Sequence, residues 1–230
     1  MPPEEDFDPW LTASHASGGV AAAYDTSHLA DPYEFIFRHM RTLDPHDKVQ
    51  PIKPMPDLPA LREILHVFLT EDRILIPKSR QMQATWLACG FATWTAMSTK
   101  GAMVFMVSRK EDDAGFSRPL SLLTRCHFIY SHLPYDMQIP FTKGLQPPMM
   151  GFPGQYSAIM GLSQDSDALR QQTASLIVWD ELAFQERAAA AYKATMPTLQ
   201  GGGKIVGIST PNGRSGNLFY SLVHDEEMKA

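Results

Sequence analysis

Three short polar clusters, each directly after an apolar run, carry the side chains that phosphate chemistry uses. The first is Lys78-Ser79-Arg80-Gln81-Met82-Gln83-Ala84-Thr85, which follows Ile74-Leu75-Ile76-Pro77 and leads into a helical pattern. Such a strand-to-helix loop can cradle phosphate. The helix N-terminus attracts the anion, a cation neutralises it, and a hydroxyl can bind magnesium. The standard loop reads G-x-x-x-x-G-K-[ST]. With Thr85 on the hydroxyl position, Ala84 falls on the lysine, Gln83 on the second glycine and Lys78 on the first. The cations, Lys78 and Arg80, therefore sit at the other end of the loop. An ordinary strand-to-helix turn with solvated basic residues fits the same segment.

The second cluster is Asp180-Glu181, at the end of Leu176-Ile177-Val178-Trp179. In a nucleotide hydrolase the first carboxylate of such a pair holds magnesium, and the second orients and deprotonates the attacking water. A strand end capped by acids is also common without that chemistry. The third is Ser209-Thr210-Pro211, after Lys204 to Ile208 and before Asn212-Gly213. It could sense a terminal phosphate and transmit its loss, or serve only as a turn chosen for geometry.

The elements that must position these clusters follow from periodicity. Residues 1–29 read as a flexible arm. Asp31-Pro32 predicts a helix start, with the helix running to about Leu43, and 44–57 a connector. Leu58, Leu61, Ile64, Leu65, Phe68 and Leu69 mark an amphipathic helix opened by Asp57. Strands are expected at 73–77, 102–107, 155–160, 176–179 and 204–208. Helices are expected at 84–98, at 215–228, and from a Ser108–Glu111 capping box to Tyr130. Residues 131–154 read as irregular. Short apolar strands alternating with helices predict an α/β fold: a mainly parallel sheet with helices on both faces. Ligands bind beyond the carboxyl ends of such strands, so the three clusters could converge on one crevice.

Bulk properties set the frame. The chain has 230 residues, 44% hydrophobic and 20% charged, ordinary for a globular protein. Its net charge of −5 argues against gripping nucleic acid through bulk positive charge. Two cysteines, Cys89 and Cys126, are too few for a disulfide framework or a four-cysteine zinc site, which reads as a reducing, intracellular setting. No apolar run is long enough to span a bilayer, and the acidic start MPPEEDFDPW is not a secretory signal.

Together the three clusters resemble the ATPase domain of the large terminase subunit of tailed bacteriophages, across roughly 50–220. In that family a loop of the form K-x-R-Q-x-x-x-[TS]-W is frequent, and Lys78, Ser79, Arg80, Gln81, Thr85 and Trp86 fit it. Ala168-Leu169-Arg170-Gln171 is similar to a Leu-Arg-Gly element of the family, with Gln171 in place of glycine. The resemblance implies a P-loop NTPase fold of the RecA/ASCE type over 58–230, with 30–57 leading into it. It implies ATP bound by residues 78–85 and Mg²⁺ held by Thr85 and Asp180. It further implies Glu181 as catalytic base, Arg170 as an arginine finger reaching a neighbouring subunit's site, and Ser209, Thr210 and Pro211 as the coupling segment. Gln50-Pro51-Ile52-Lys53-Pro54 lies where the family places adenine-contacting residues. Implied partners are double-stranded DNA, further copies in a homo-oligomeric ring, the portal protein and the small terminase subunit, in the host cytoplasm and with no membrane. The family's nuclease domain is expected to be absent, since little chain follows the coupling turn and Asp225-Glu226-Glu227 reads as a solvated helix end. Two other readings stay open: a nucleotide-binding assembly module that does not turn over, favoured by the missing loop glycines, and a helicase-like DNA remodeller.

Other candidates have plainer readings. His127, His132 and Cys126 lack a fourth ligand and read as packing residues. Arg109, Lys110, Arg118 and Arg125 have Glu111, Asp112 and Asp113 among them, which predicts a solvated helix face rather than a DNA grip. The thirteen methionines read as core filler.

Overall fold

The structure, a computed structural model, describes residues 27–79, 82–199, 201–213 and 216–224. Arg80 and Gln81 of the expected phosphate loop, most of the expected N-terminal arm and the acidic run 225–227 lie outside the described residues.

Beyond a π-helical segment, Glu34–His39, the chain forms a hairpin of β1 (Arg41–Leu43) and β2 (Ile52–Pro54). There follow helix α1 (Pro59–Thr70), strand β3 (Arg73–Pro77), helix α2 (Ala84–Ser98) and strand β4 (Met103–Ser108). Next come α3 (Glu111–Ala114), α4 (Leu122–Ser131), β5 (Thr142–Leu145), β6 (Pro148–Phe152) and β7 (Ser157–Ser163). Then α5 (Ala168–Gln171), β8 (Leu176–Asp180), α6 (Ala188–Thr195), β9 (Lys204–Ser209) and α7 (Leu218–His224) complete the described chain.

Seven strands form one sheet in the order β3-β9-β8-β4-β7-β6-β5. The first five run parallel, and β6 and β5 are added antiparallel at one edge. The parallel strands are apolar on both faces because both are covered. Val104, Met106, Leu176, Val178, Val206 and Ile208 pack with α1, α2 and α4. Their neighbours Phe105, Val107, Ile177, Trp179 and Ile205 pack on the opposite face, with α6 and α7. The alternation is the period of two that a strand imposes.

Helix α2 is buried nearly all round, since it lies between the sheet and its neighbouring helices. Gly90 permits that density: a Cβ there would lie 2.5 Å from the Met40 sulfur. Leu29 is fully buried, and its carbonyl accepts a 2.7 Å hydrogen bond from the Trp94 indole, tying the chain before the first helical segment onto α2.

Three expectations about elements change. The first predicted helix ends at His39, and Arg41–Leu43 turns into a strand instead of a last helical turn. The predicted 108–130 helix is two helices, with Ser108 ending β4 and Lys110 preceding α3. Pro119 and a left-handed Leu120 (φ 64°) separate them, and neither fits a helix interior. Residues 142–152, read as irregular, hold β5 and β6.

Candidate active site

Strand register brings the polar clusters together. Pro77 pairs with Ser209 and Asp180 with Ile208, so β3, β9 and β8 end level. The residues that follow them, Lys78, Thr210 and Glu181, therefore emerge side by side. The Lys78 amide continues the β3–β9 ladder, donating to the Ser209 carbonyl at 3.0 Å.

At this edge Lys78 Nζ lies 3.0 Å from Glu181 Oε1 and 3.9 Å from Asp180 Oδ1, and donates to Thr85 Oγ1 at 3.3 Å. Thr85 Oγ1 in turn donates to Asp180 Oδ1 at 3.1 Å. Thr210 donates to the other Glu181 oxygen at 3.3 Å. Two residues of the loop cluster and one of the third cluster thus touch the carboxylate pair. Lys78 and Asp180 are nearly buried, whereas Glu181 keeps about 40% of its side chain exposed. Burial pushes the Asp180 carboxyl above its ordinary value, against the pull of Lys78; Glu181 pushes the same way, and Arg125 and the Thr85 bond oppose it.

The backbone of Asp180 is pinned from behind. The Gln185 amide donates to the Asp180 carbonyl at 2.9 Å and accepts from the buried Trp179 indole at 2.7 Å. Glu181 itself adopts the left-handed conformation (φ 53°, ψ 41°). A non-glycine residue held there is strained, a feature that clusters at functional sites. Ser209 Oγ accepts the Ala183 amide at 3.0 Å and donates to the Thr210 carbonyl at 2.9 Å. Asn212 donates to the Ala183 carbonyl at 3.2 Å. The Ser209–Asn212 segment is thereby bonded to the turn that follows the acids. Pro211 opens the exposed turn to Gly213, whose φ of 75° needs a glycine.

Gln83 settles how a loop without its glycine is shaped. It sits before α2 with φ 59° and ψ 6°, the left-handed geometry that glycine takes without strain. It gives α2 no side-chain cap, and its buried Oε1 has no hydrogen-bond partner. Relief of left-handed strain is worth about 1–2 kcal/mol, offset by about 0.5–1 kcal/mol of added backbone freedom. Gln83→Gly is therefore expected to raise Tm by about 1–4 °C, as calorimetry would check. An unchanged or lower Tm would mean that the side chain makes a compensating interaction.

Two adjoining clefts meet at the site. One, of about 770 Å³, is lined by Lys78, Met82, Gln83, Ala84, Thr85, Trp86, Arg125 and Glu181, with Leu43 to His46 as its far wall. The other, of about 640 Å³, includes Ser108, Arg109, Arg118, Arg125, Asp180, Glu181 and Thr210. The wall is the turn after β1 rather than Gln50–Pro54, none of which lines either cleft. Ser79 is exposed at the mouth of the loop, its amide 3.3 Å from the Met82 sulfur. Arg170 lies on α5, with its side chain outside the described residues.

Arg125 was missed by reading charge along the chain. Arg118 does pair with Asp113 at 2.7 Å, on an exposed face as expected. Arg125 lies one turn into α4, its guanidinium carbon 5.5 Å from the centroid of Trp86, and it lines both clefts. His127 and His132 pack against Phe141 and Phe128. Among the described residues no group of three His, Cys, Asp or Glu is placed to hold a metal. The oxygen pair Thr85–Asp180 suits a hard cation that takes only one or two protein ligands and completes its shell with water and phosphate, as Mg²⁺ does.

The mostly parallel sheet, with β9 between the loop strand and the acidic strand and the polar clusters at their carboxyl ends, is the α/β arrangement of a P-loop fold. Among solved structures the chain is similar to the large terminase ATPase domain of Thermus phage P74-26, with a TM-score of 0.51 at 21% identity over 69% of this chain and 67% of that one. It is similar to the large terminase of bacteriophage HK97, with a TM-score of 0.63 at 14% identity over 86% of this chain and 40% of that one. It also resembles the large terminase of the thermophilic bacteriophage D6E, with a TM-score of 0.56 at 12% identity over 69% and 40%. The likeness is one of fold, and the chain spans well under half of the HK97 and D6E proteins. Sequence comparison finds neither a matching family profile nor a matching curated protein. These three solved structures are of large terminases, the family that the motifs resemble.

Proposed function

We propose that this chain is the ATP-hydrolysing motor domain of a phage large terminase, turning hydrolysis into movement of duplex DNA into a preformed capsid. The observation that carries the proposal is the contact set at one sheet edge: Lys78 and Thr210 on Glu181, and Thr85 on Asp180. ATP lies along the loop 78–85 with its terminal phosphate toward Glu181. Thr85 and Asp180 are the ligands for Mg²⁺, which when bound neutralises charge on the phosphates. Glu181 accepts a proton from water. The water oxygen forms a bond to the γ-phosphorus, and the bond from that phosphorus to the bridging oxygen breaks, its electron pair leaving with ADP. Lys78 and Arg80 balance the charge that develops, and Arg170 of a neighbouring copy in a ring completes the site. Loss of the phosphate frees Glu181 to change its bond with Thr210, and Ser209 to Pro211 carry that change to the turn at Ala183. The portal protein, the small terminase subunit and the host cytoplasm belong to the same proposal. No helix among the described residues is long and apolar enough to cross a membrane.

A second reading is favoured by Ala84 at the usual lysine position and by Lys78 being held by carboxylates: an assembly module that binds nucleotide without turnover. Duplex DNA separates the two. The motor is expected to hydrolyse MgATP faster as duplex DNA is added, and less so in high salt, because backbone contacts are ionic. Turnover indifferent to DNA would remove translocation from the proposal.

A further inference from the structure

Among the described residues Lys78 is the cation in ion-pair contact with the carboxylate pair. Lys78 faces two carboxylates, Asp180 and Glu181, and position 84 contributes none. Phosphates entering here add negative charge, which a cation beyond Lys78 and Arg80 would help to balance. Arg125 lines both clefts, together with Thr85 in one, Thr210 in the other and Glu181 in both. Trp86 holds it there: the ring is 7% exposed, packs edge-on against Phe128 at 5.7 Å, and carries the guanidinium on its face. Among the described residues three buried side-chain polar atoms lack a hydrogen-bond partner, and two of them, Gln83 Oε1 and Arg125 Nε, belong to residues of this cleft. Unpaired buried polar atoms are rare in folded proteins and call for a ligand or another explanation.

We propose that Arg125 is a phosphate ligand from the same chain, held over Trp86 to reach the terminal phosphate of a nucleoside triphosphate between Thr85 and Glu181. A guanidinium suits the task, since its planar fork bonds phosphate oxygens while its face stacks on an aromatic ring. Trp86 is then the platform for this cation. The inference rests on the ATPase reading and adds to it a cation distinct from Arg170.

The test is calorimetric titration of the full chain with magnesium and either a slowly hydrolysed ATP analogue or ADP. Arg125→Met keeps an apolar stem over Trp86, and Arg125→Lys keeps the charge. Arg125→Met is expected to weaken the ATP analogue by about 10- to 100-fold and ADP far less, at an unchanged melting temperature without nucleotide. Arg125→Lys is expected to recover part of that loss. Analogue binding by Arg125→Met equal to wild type, or an equal loss for both nucleotides, would overturn the inference alone. A wild-type chain that binds neither nucleotide would overturn the ATPase reading and this inference with it.

Discussion

Glu181→Gln is expected to lower ATP turnover by about 10²–10⁴-fold while MgATP binding stays close to wild type. The amide keeps the shape of the side chain and can still meet Lys78 and Thr210, but it cannot take a proton from water. It also leaves Lys78 facing Asp180 alone, so the site is less negative and binding does not suffer. Steady-state phosphate release beside equilibrium binding of the same preparation would measure both effects. Turnover as fast as wild type would remove Glu181 from the role of base. Loss of binding together with turnover would make it a structural residue.

The second large effect belongs to Arg170. Its replacement by alanine is expected to reduce turnover by about 10³–10⁵-fold in the assembled state. In the proposed motor this residue acts on a neighbouring copy. Helix α5 follows β7, and β4 stands between β7 and the acidic strand β8, so α5 starts from a strand roughly 10 Å across the sheet from Asp180. Ala168, Leu169 and Gln171 line neither cleft. Leu169 is buried against the second core, which fixes the short helix at the surface. Wild-type turnover per subunit is expected to rise with protein concentration and to fall when excess Arg170→Ala protein is mixed in. A variant as active as wild type at every concentration would remove the finger.

Much of the fold was legible because buried parallel strands are continuous apolar runs. Ile74 to Ile76, Val104 to Val107, Leu176 to Trp179 and Ile205 to Ile208 could hardly be read otherwise. The antiparallel pair β5 and β6 was not legible, since Gly144, Pro148, Met149 and Gly151 carry turn and filler chemistry instead of alternation. The break at Pro119 was visible in the residue itself, but the helical pattern on both sides hid it. At the site, residue types pointed to Lys78, Thr85, Asp180, Glu181 and Thr210, whereas their convergence depends on β9 lying between β3 and β8, which no local pattern encodes. Gln83 could be compared with glycine only by position; that it takes glycine's backbone angles is a property of the folded loop. Arg125 was hidden for a related reason. Asp112 and Asp113 pair with Arg118, and through space Arg125 meets Trp86 and the cleft instead.

Phosphate release by the wild-type chain decides whether these residues together hydrolyse ATP. It would be followed across protein concentrations, with and without duplex DNA, and with magnesium present or chelated. Magnesium-dependent release that rises with assembly and with DNA is the expected result. A chain that binds MgATP yet releases no phosphate under any of these conditions would contradict it, and would leave a nucleotide-binding assembly module in its place.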